Sequence, residues 1–310
     1  MKTLVTGGAG FIGSHVADAL LADGHDVHIL DDLSSGKKAN LPDGATFHEA
    51  AIESDDAAQL FEEEQFAALF HLAAQMDVRK SVEDPVFDAN INVLGFLNLM
   101  EAGRRNGLEK VVFSSTGGAI YGEPEYTPQD EEHPTNPISP YGITKLVAEK
   151  YLHFYHLQHG LQYVALRYAN VYGPRQDAHG DAGVVAIFSR ALLSGEQPEI
   201  YGDGKQTRDY VFVEDVVRAN VAALELDEPQ IVNVGTSEET SVNDLFHQIR
   251  DLAGSDAEEK HADARPGEQQ RSVIDPSKAE RVLPGGWTPA HPLKDGLAKT
   301  VRWFEEHPDR

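Results

Sequence analysis

Thr6-Gly7-Gly8-Ala9-Gly10-Phe11-Ile12-Gly13 is the stretch on which the fold turns. The short apolar segment before it, Lys2–Thr6, reads as a strand. After it, Phe11–Ala22 carries helical periodicity, with Gly24 past its end. Gly7, Gly10 and Gly13 stand three apart. In a strand–turn–helix unit the first glycine permits the tight turn. The second lets backbone approach a pyrophosphate, and the third lets helix and strand pack closely. The helix N-terminus adds free N–H groups and the positive end of its dipole. A second strand, Val27–Leu30, ends in Asp31-Asp32. A carboxylate at Asp31 accepts hydrogen bonds from ribose hydroxyls and repels a 2′-phosphate, so the pattern predicts NAD and not NADP.

The same alternation continues outward. Thr46–His48 reads as a strand and Asp55–Glu64 as a helix. Ala67–Leu72 reads as a strand, and Asp84–Arg105 as one long helix with Pro85 in its first turn. Lys110–Ser114 and Leu161–Tyr168 are strands around a helix over Tyr141–His159. Near-continuous apolar strands separated by helices predict an α/β fold: a doubly wound, Rossmann-like parallel sheet with helices on both faces. After Gly173-Pro174 the elements shorten. Helices are predicted at Val184–Ser194, Glu214–Leu226, Val242–Leu252 and Leu293–Glu306, and strands at Glu199–Tyr201, Arg208–Val213 and Ile231–Val234. We expect a dinucleotide-binding domain over 1–174, rejoined by a segment near 207–240, and a smaller α/β substrate domain over 175–310.

Composition narrows the function. There is no cysteine, which excludes disulfides, thiol nucleophiles and thiolate–metal sites. His153, His156 and His159 share a helix without a metal-binding HExxH pattern, and no metal is expected. The 51 Asp+Glu against 26 Lys+Arg give a net charge of −25, which repels nucleic acid and anionic membranes. The even spread of acids resembles proteins of salt-rich cytoplasm, where salt screens self-repulsion. No apolar run approaches the length of a membrane span, and no signal-peptide pattern opens the chain, so a cytoplasmic location is expected.

Tyr141 and Lys145 lie four apart on the predicted helix, on one face. Phenol is a poor base at its ordinary pKa, and a nearby ammonium together with an oxidised nicotinamide favours phenolate. Ser114-Ser115-Thr116 ends the preceding strand, where a hydroxyl can bond the oxygen being oxidised. Leu72-Ala73-Ala74 ends another strand, and its small residues let backbone lie against the cofactor. Asn92 fits either a structural or a cofactor-facing amide.

With these residues the chain resembles the extended short-chain dehydrogenase/reductase family, most closely its UDP-glucose 4-epimerases. The matching stretches are TGGAGFIGSH at 6–15, HLAAQMDVRKSVEDP at 71–85, SSTGGAIYGE at 114–123, SPYGITK at 139–145, LRYANVYGPRQ at 166–176, GDGKQTRDYVFVEDV at 202–216 and RPGE at 265–268. The resemblance implies reversible 4-epimerisation of a UDP-hexose through a 4-keto sugar, with tightly held NAD taking the C4 hydride and returning it to the other face. Tyr141 would take the 4-hydroxyl proton, Thr116 polarise the 4-oxygen, and Lys145 tune Tyr141 and hold the nicotinamide ribose. Thr116 is aligned by its 25-residue distance from Tyr141, with Ser115 as the fallback. Cofactor contacts would also come from Phe11, Ile12, Asp32, Leu33, Ser34, Ser35, Gly36, Ile52, Gln75 and Ser114. Arg208 and Arg265 would hold the diphosphate, unless they serve as surface ion pairs. Asn170 would join them, Tyr201 would lie along the uracil, and Arg175 is left open. The resemblance also implies a homodimer through the Asp84–Arg105 and Tyr141–His159 helices.

The chain departs from the family pattern in places. Gly117 and Gly118 follow Thr116 where dehydratases and decarboxylases carry an acid, which favours simple epimerisation. Ala51 precedes Ile52 where an aspartate often holds adenine. Ser272 stands where glucose-only epimerases carry tyrosine, leaving room for a 2-acetamido group. A UDP-glucuronate epimerase, a nucleotide-sugar reductase and a non-catalytic NAD-binding protein remain as alternatives.

Overall fold

The computed structural model describes residues 1–178, 183–264 and 269–309. The strands, in chain order, are β1 (Lys2–Thr6), β2 (Asp26–Asp31), β3 (Thr46–Glu49), β4 (Ala68–His71), β5 (Lys110–Thr116), β6 (Gln162–Tyr168), β7 (Asn170–Tyr172), β8 (Ile200–Tyr201), β9 (Thr207–Phe212), β10 (Gln230–Val234), β11 (Glu239–Ser241), β12 (His261–Ala262) and β13 (Arg271–Ser272). Seven of them form one parallel sheet in the order β10-β6-β5-β4-β1-β2-β3. Neighbouring residues of each strand go to opposite layers. Val5, Ile29, Phe70 and Val112 join one buried cluster, whereas Leu4, Leu30, Leu69 and Val111 join another. Both faces are therefore apolar, and both need helices to cover them.

Those helices are α1 (Phe11–Ala22), α2 (Asp55–Glu64), α3 (Val78–Glu83), α4 (Pro85–Ala89), α5 (Phe96–Arg105), α6 (Gly117–Ile120) and α7 (Pro140–His159). The helix expected over Asp84–Arg105 is divided. A π-helical turn, Asn90–Gly95, stands between α4 and α5, and α3 precedes them. Gly95 explains why the wider turn fits there. A Cβ on it would lie 2.8 Å from Ile52 Cγ1, so the backbone runs against the Ile52 side chain. The start of α7 is well specified: Ser139 accepts from Gly142 N, Pro140 occupies the first turn, and Gly160 ends the helix at φ +73.

The later helices are α8 (Val184–Leu193), α9 (Val213–Ala223), α10 (Val242–Ala253), α11 (Ser277–Val282) and α12 (Leu293–Glu306). A third buried cluster joins α8, α10 and α12 through Phe188, Leu192, Phe246, Ile249, Leu297 and Val301. The segment expected to return over 207–240 splits. Only β10 enters the parallel sheet, and α9 packs on α1. Strand β9 instead centres a second sheet with β7, β11 and β13. Strands β7, β11 and β13 have at most three residues each, too short for periodicity to reveal them.

Candidate active site

The glycine turn is built by close backbone approach. Gly7 has φ +69, and a Cβ on it would lie 2.7 Å from Ala73 N. A Cβ on Gly13 would stand 2.2 Å from Gly7 O. Gly10 N donates to Gly7 O at 3.0 Å, and no side chain caps α1. The first-turn N–H groups are thus left to a ligand, as an anionic pyrophosphate requires. Phe11 and Ile12 in that turn are half-buried.

Asp31 does more than its sequence position suggests. Its Oδ2 accepts from Ala9 N at 3.0 Å and its Oδ1 from Leu33 N at 2.8 Å. Burial raises its pKa above the ordinary carboxylate value. The carboxylate joins the glycine turn to the loop after β2, and each oxygen keeps a second lone pair. Leu33 is left-handed at φ +59, Asp32 accepts from Ser34 N, and Ser34 and Ser35 are exposed. A Cβ on Gly36 would lie 2.6 Å from Asp31 Oδ1. At the next strand ends, Ala73 N donates to Thr6 Oγ1, with Leu72 and Ala74 half-buried beside it. Ile52 is packed into the core, and Asn98 Nδ2 donates to its carbonyl.

Asn92 turns its amide inward. Its Oδ1 accepts from Gln75 N, and its Nδ2 donates to Gln75 O and Asp88 Oδ1, all within 2.9–3.0 Å. It therefore fixes the Gln75 backbone. Gln75 Nε2 in turn donates to Asp88. Both side-chain amides are thus engaged within the protein.

Thr116 caps the short α6, which touches α7 where a Cβ on Gly142 would lie 2.6 Å from Ala119 O. The fallback Ser115 points away. It is buried, and its hydroxyl donates to Glu149 Oε1 at 2.6 Å. Glu149 also pairs with Arg167, whose Nη1 donates to Tyr121. Lys145 is 3 % exposed; its Nζ donates to Ser114 O at 2.8 Å and lies 5.8 Å from the Tyr141 ring centroid. Burial draws the ammonium down to about 8, against the opposing charges of Asp88 and Glu149. Burial also pushes the Tyr141 phenol well above its ordinary value, and Asp88 adds to the push. The protein's own groups thus hold Tyr141 protonated, and the phenolate of the sequence reading depends on added positive charge. His71, under the same lysine and bonded to Thr6, is lowered to about 3.

The substrate-side residues converge although they are far apart in sequence. Ser272 pairs with Arg208 in register between β13 and β9, and Asn170 pairs with Tyr210 between β7 and β9. A Cβ on Gly118 would lie 3.7 Å from Asn170 Oδ1 and 3.9 Å from both Ser272 Oγ and Thr116 Oγ1. These side chains ring one space that an acid at this point would fill. Arg208 Nη1 donates to Thr207 O. Tyr201 lies on β8, which pairs with β12. Arg175 pairs with Asp18 on α1 at 2.7 Å. Arg265 lies outside the described residues. Sequence reasoning missed Asp88, Glu149 and Arg167; the four-residue spacing from Asp88 to Asn92 was the available signal for the first.

The model of the NAD dependent epimerase/dehydratase family matches residues 3–235. A UDP-glucose 4-epimerase from Mycolicibacterium smegmatis is 49% identical over 310 residues, covering 98% of both chains. The UDP-glucose 4-epimerase of Thermotoga maritima, solved with UDP-glucose, superposes with a TM-score of 0.96 at 47% identity, covering 99% of each chain. That of Thermus thermophilus, solved with NAD, gives 0.93 at 44% identity over 99% of this chain and 100% of the other.

Proposed function

The chain belongs to the NAD dependent epimerase/dehydratase family, and from that premise we propose that it is an NAD-dependent UDP-sugar 4-epimerase interconverting UDP-glucose and UDP-galactose. The observation that carries this reading is the space bounded by Thr116, Asn170 and Ser272, opened by the missing side chain of Gly118. A dehydratase or decarboxylase needs an acid there. The glycine turn, uncapped α1 and Asp31 fit NAD, whose role when bound is to accept and return the hydrogen at C4. Tyr141 holds the proton of the 4-hydroxyl, with Thr116 hydrogen-bonded to the same oxygen. Lys145 keeps a positive charge beside the phenol. Arg208 offers its guanidinium to the diphosphate. The test is a panel of UDP-sugars incubated without added NAD and resolved by chromatography. Interconversion of UDP-glucose and UDP-galactose is expected. Turnover only with stoichiometric reduced cofactor would make it a reductase.

The fold also favours a homodimer. Val82, Val86 and Leu94, with Ile143, Phe154 and Leu157 of α7, are between 47% and 68% exposed on adjoining helices. Pairing this face with its copy makes a four-helix contact. Phe154→Glu should convert a dimer to a monomer in sedimentation; an unchanged mass would remove this face as the interface. The enzyme operates in a salt-rich cytoplasm, on the support of its −25 charge. Its melting temperature should then rise with KCl.

A further inference from the structure

Asp88 is fully buried, yet the reaction as read so far does not use it. Its Oδ1 accepts from Gln75 Nε2 and Asn92 Nδ2, both at 3.0 Å, and its Oδ2 accepts from Thr144 Oγ1 at 2.9 Å. All three partners present donors, the pattern an ionised carboxylate requires. They come from three segments. Gln75 follows β4, where the cofactor-facing backbone lies. Asn92 sits in the π-helical turn, a feature often retained at functional sites. Thr144 lies between Tyr141 and Lys145, and its hydroxyl also reaches Tyr141 O at 3.0 Å.

We propose that Asp88 is a positioning residue for the epimerisation: its clamped carboxylate fixes α7 against the strand ends and sets the charge balance of the Tyr141–Lys145 pair. This rests on the epimerase reading. Its charge supports the Lys145 ammonium and opposes the Tyr141 phenolate. The other titratable groups nearby are few. On the β4 side His71 is neutral at ordinary pH. On α7 Glu149 acts on Lys145 from its far side. Asp77 caps α3, and Arg79, Lys80 and Glu83 on α3 are exposed. The π-helical turn carries no ionisable side chain.

Asp88→Asn tests charge apart from shape. Its oxygen still accepts from Gln75 and Asn92, and its amide donates to Thr144 Oγ1. Removing one negative charge lowers the pKa of both the acid and the base. Both limbs of the kcat–pH profile should therefore move to lower pH by about 0.5 to 1 unit. A smaller kcat with both limbs at their wild-type positions would overturn the proposal, since a purely structural role leaves the limbs in place. The carbon-13 signal of the Lys145 ε-carbon, assigned with Lys145→Met, gives a reading independent of turnover. It should titrate near 8 in the wild type and lower in Asp88→Asn. An unshifted signal sinks the proposal while leaving the epimerase reading intact; wild-type protein that fails the UDP-sugar panel does the reverse. If Asp88→Asn does not fold, Thr144→Val releases one clamp and keeps the charge. It should lower kcat with KM unchanged, and an unchanged kcat counts against the proposal.

Discussion

The cofactor side and the substrate side of this molecule are made in different ways. On the cofactor side, backbone does the work: Gly7 against Ala73 and Gly13 against Gly7 leave no room for a Cβ, and no side chain caps α1. On the substrate side, side chains from β5, β7 and β13 meet around Gly118. Backbone sites are encoded locally, by glycines at fixed spacing after a strand. Side-chain sites are encoded by pairings between distant short segments, which no window of sequence displays. The first kind should therefore fail all at once and the second in steps.

Gly13→Val is the harshest test. Its Cβ would stand 2.2 Å from Gly7 O, a backbone atom that cannot yield without opening the turn. Bound NAD and turnover should both be lost, with stability falling by about 1–3 kcal/mol. A variant that keeps NAD, measured by absorbance after denaturation, would show that this turn is not the cradle. Arg208→Ala should act on one side only. Losing a charge-assisted bond of about 1.5–3 kcal/mol should raise KM for UDP-sugars by roughly 10–100-fold at unchanged NAD content. A parallel fall in NAD content would blur the two regions into one. Ser272→Tyr is the mildest change. UDP-glucose turnover should largely survive, whereas turnover of UDP-N-acetylglucosamine, expected from the room a serine leaves, should stop. Equal effects on both sugars would break the assignment of Ser272 to the 2-position.

The same contrast explains what the sequence revealed. The parallel sheet, α1, α2, α7 and the residues Gly7 to Asp31 followed from periodicity, capping and glycine spacing. Thr116 was aligned by a count, and strand alternation, which no count displays, sends its neighbour Ser115 into the core toward Glu149. The π-helical turn was illegible because its residues look helical either way, and the contact of Gly95 with Ile52, far off in sequence, shows only in the fold. Asp88 was missed because a lone acid near a helix start reads as a solvated cap, and only the fold surrounds it with three donors. The surroundings of Tyr141 were also hidden: desolvation and the charge of Asp88 push its phenol up, against the positive charges the sequence reading invokes.

The wide turn at Asn90–Gly95 has a consequence for how this family member can change length. Cutting one residue from it would restore an ordinary helix with the phase of its flanks kept, because the wide turn absorbs one extra residue that regular helix would carry round by about 100°. Asp88 would then still face Thr144, and Val82 and Val86 would stay beside α7. Surface loops such as the one around Gly44 can gain or lose a residue without disturbing either. A single-residue deletion is thus expected to be tolerated at this turn, whereas in the regular helix of α5 it would turn Asp88 away from Thr144.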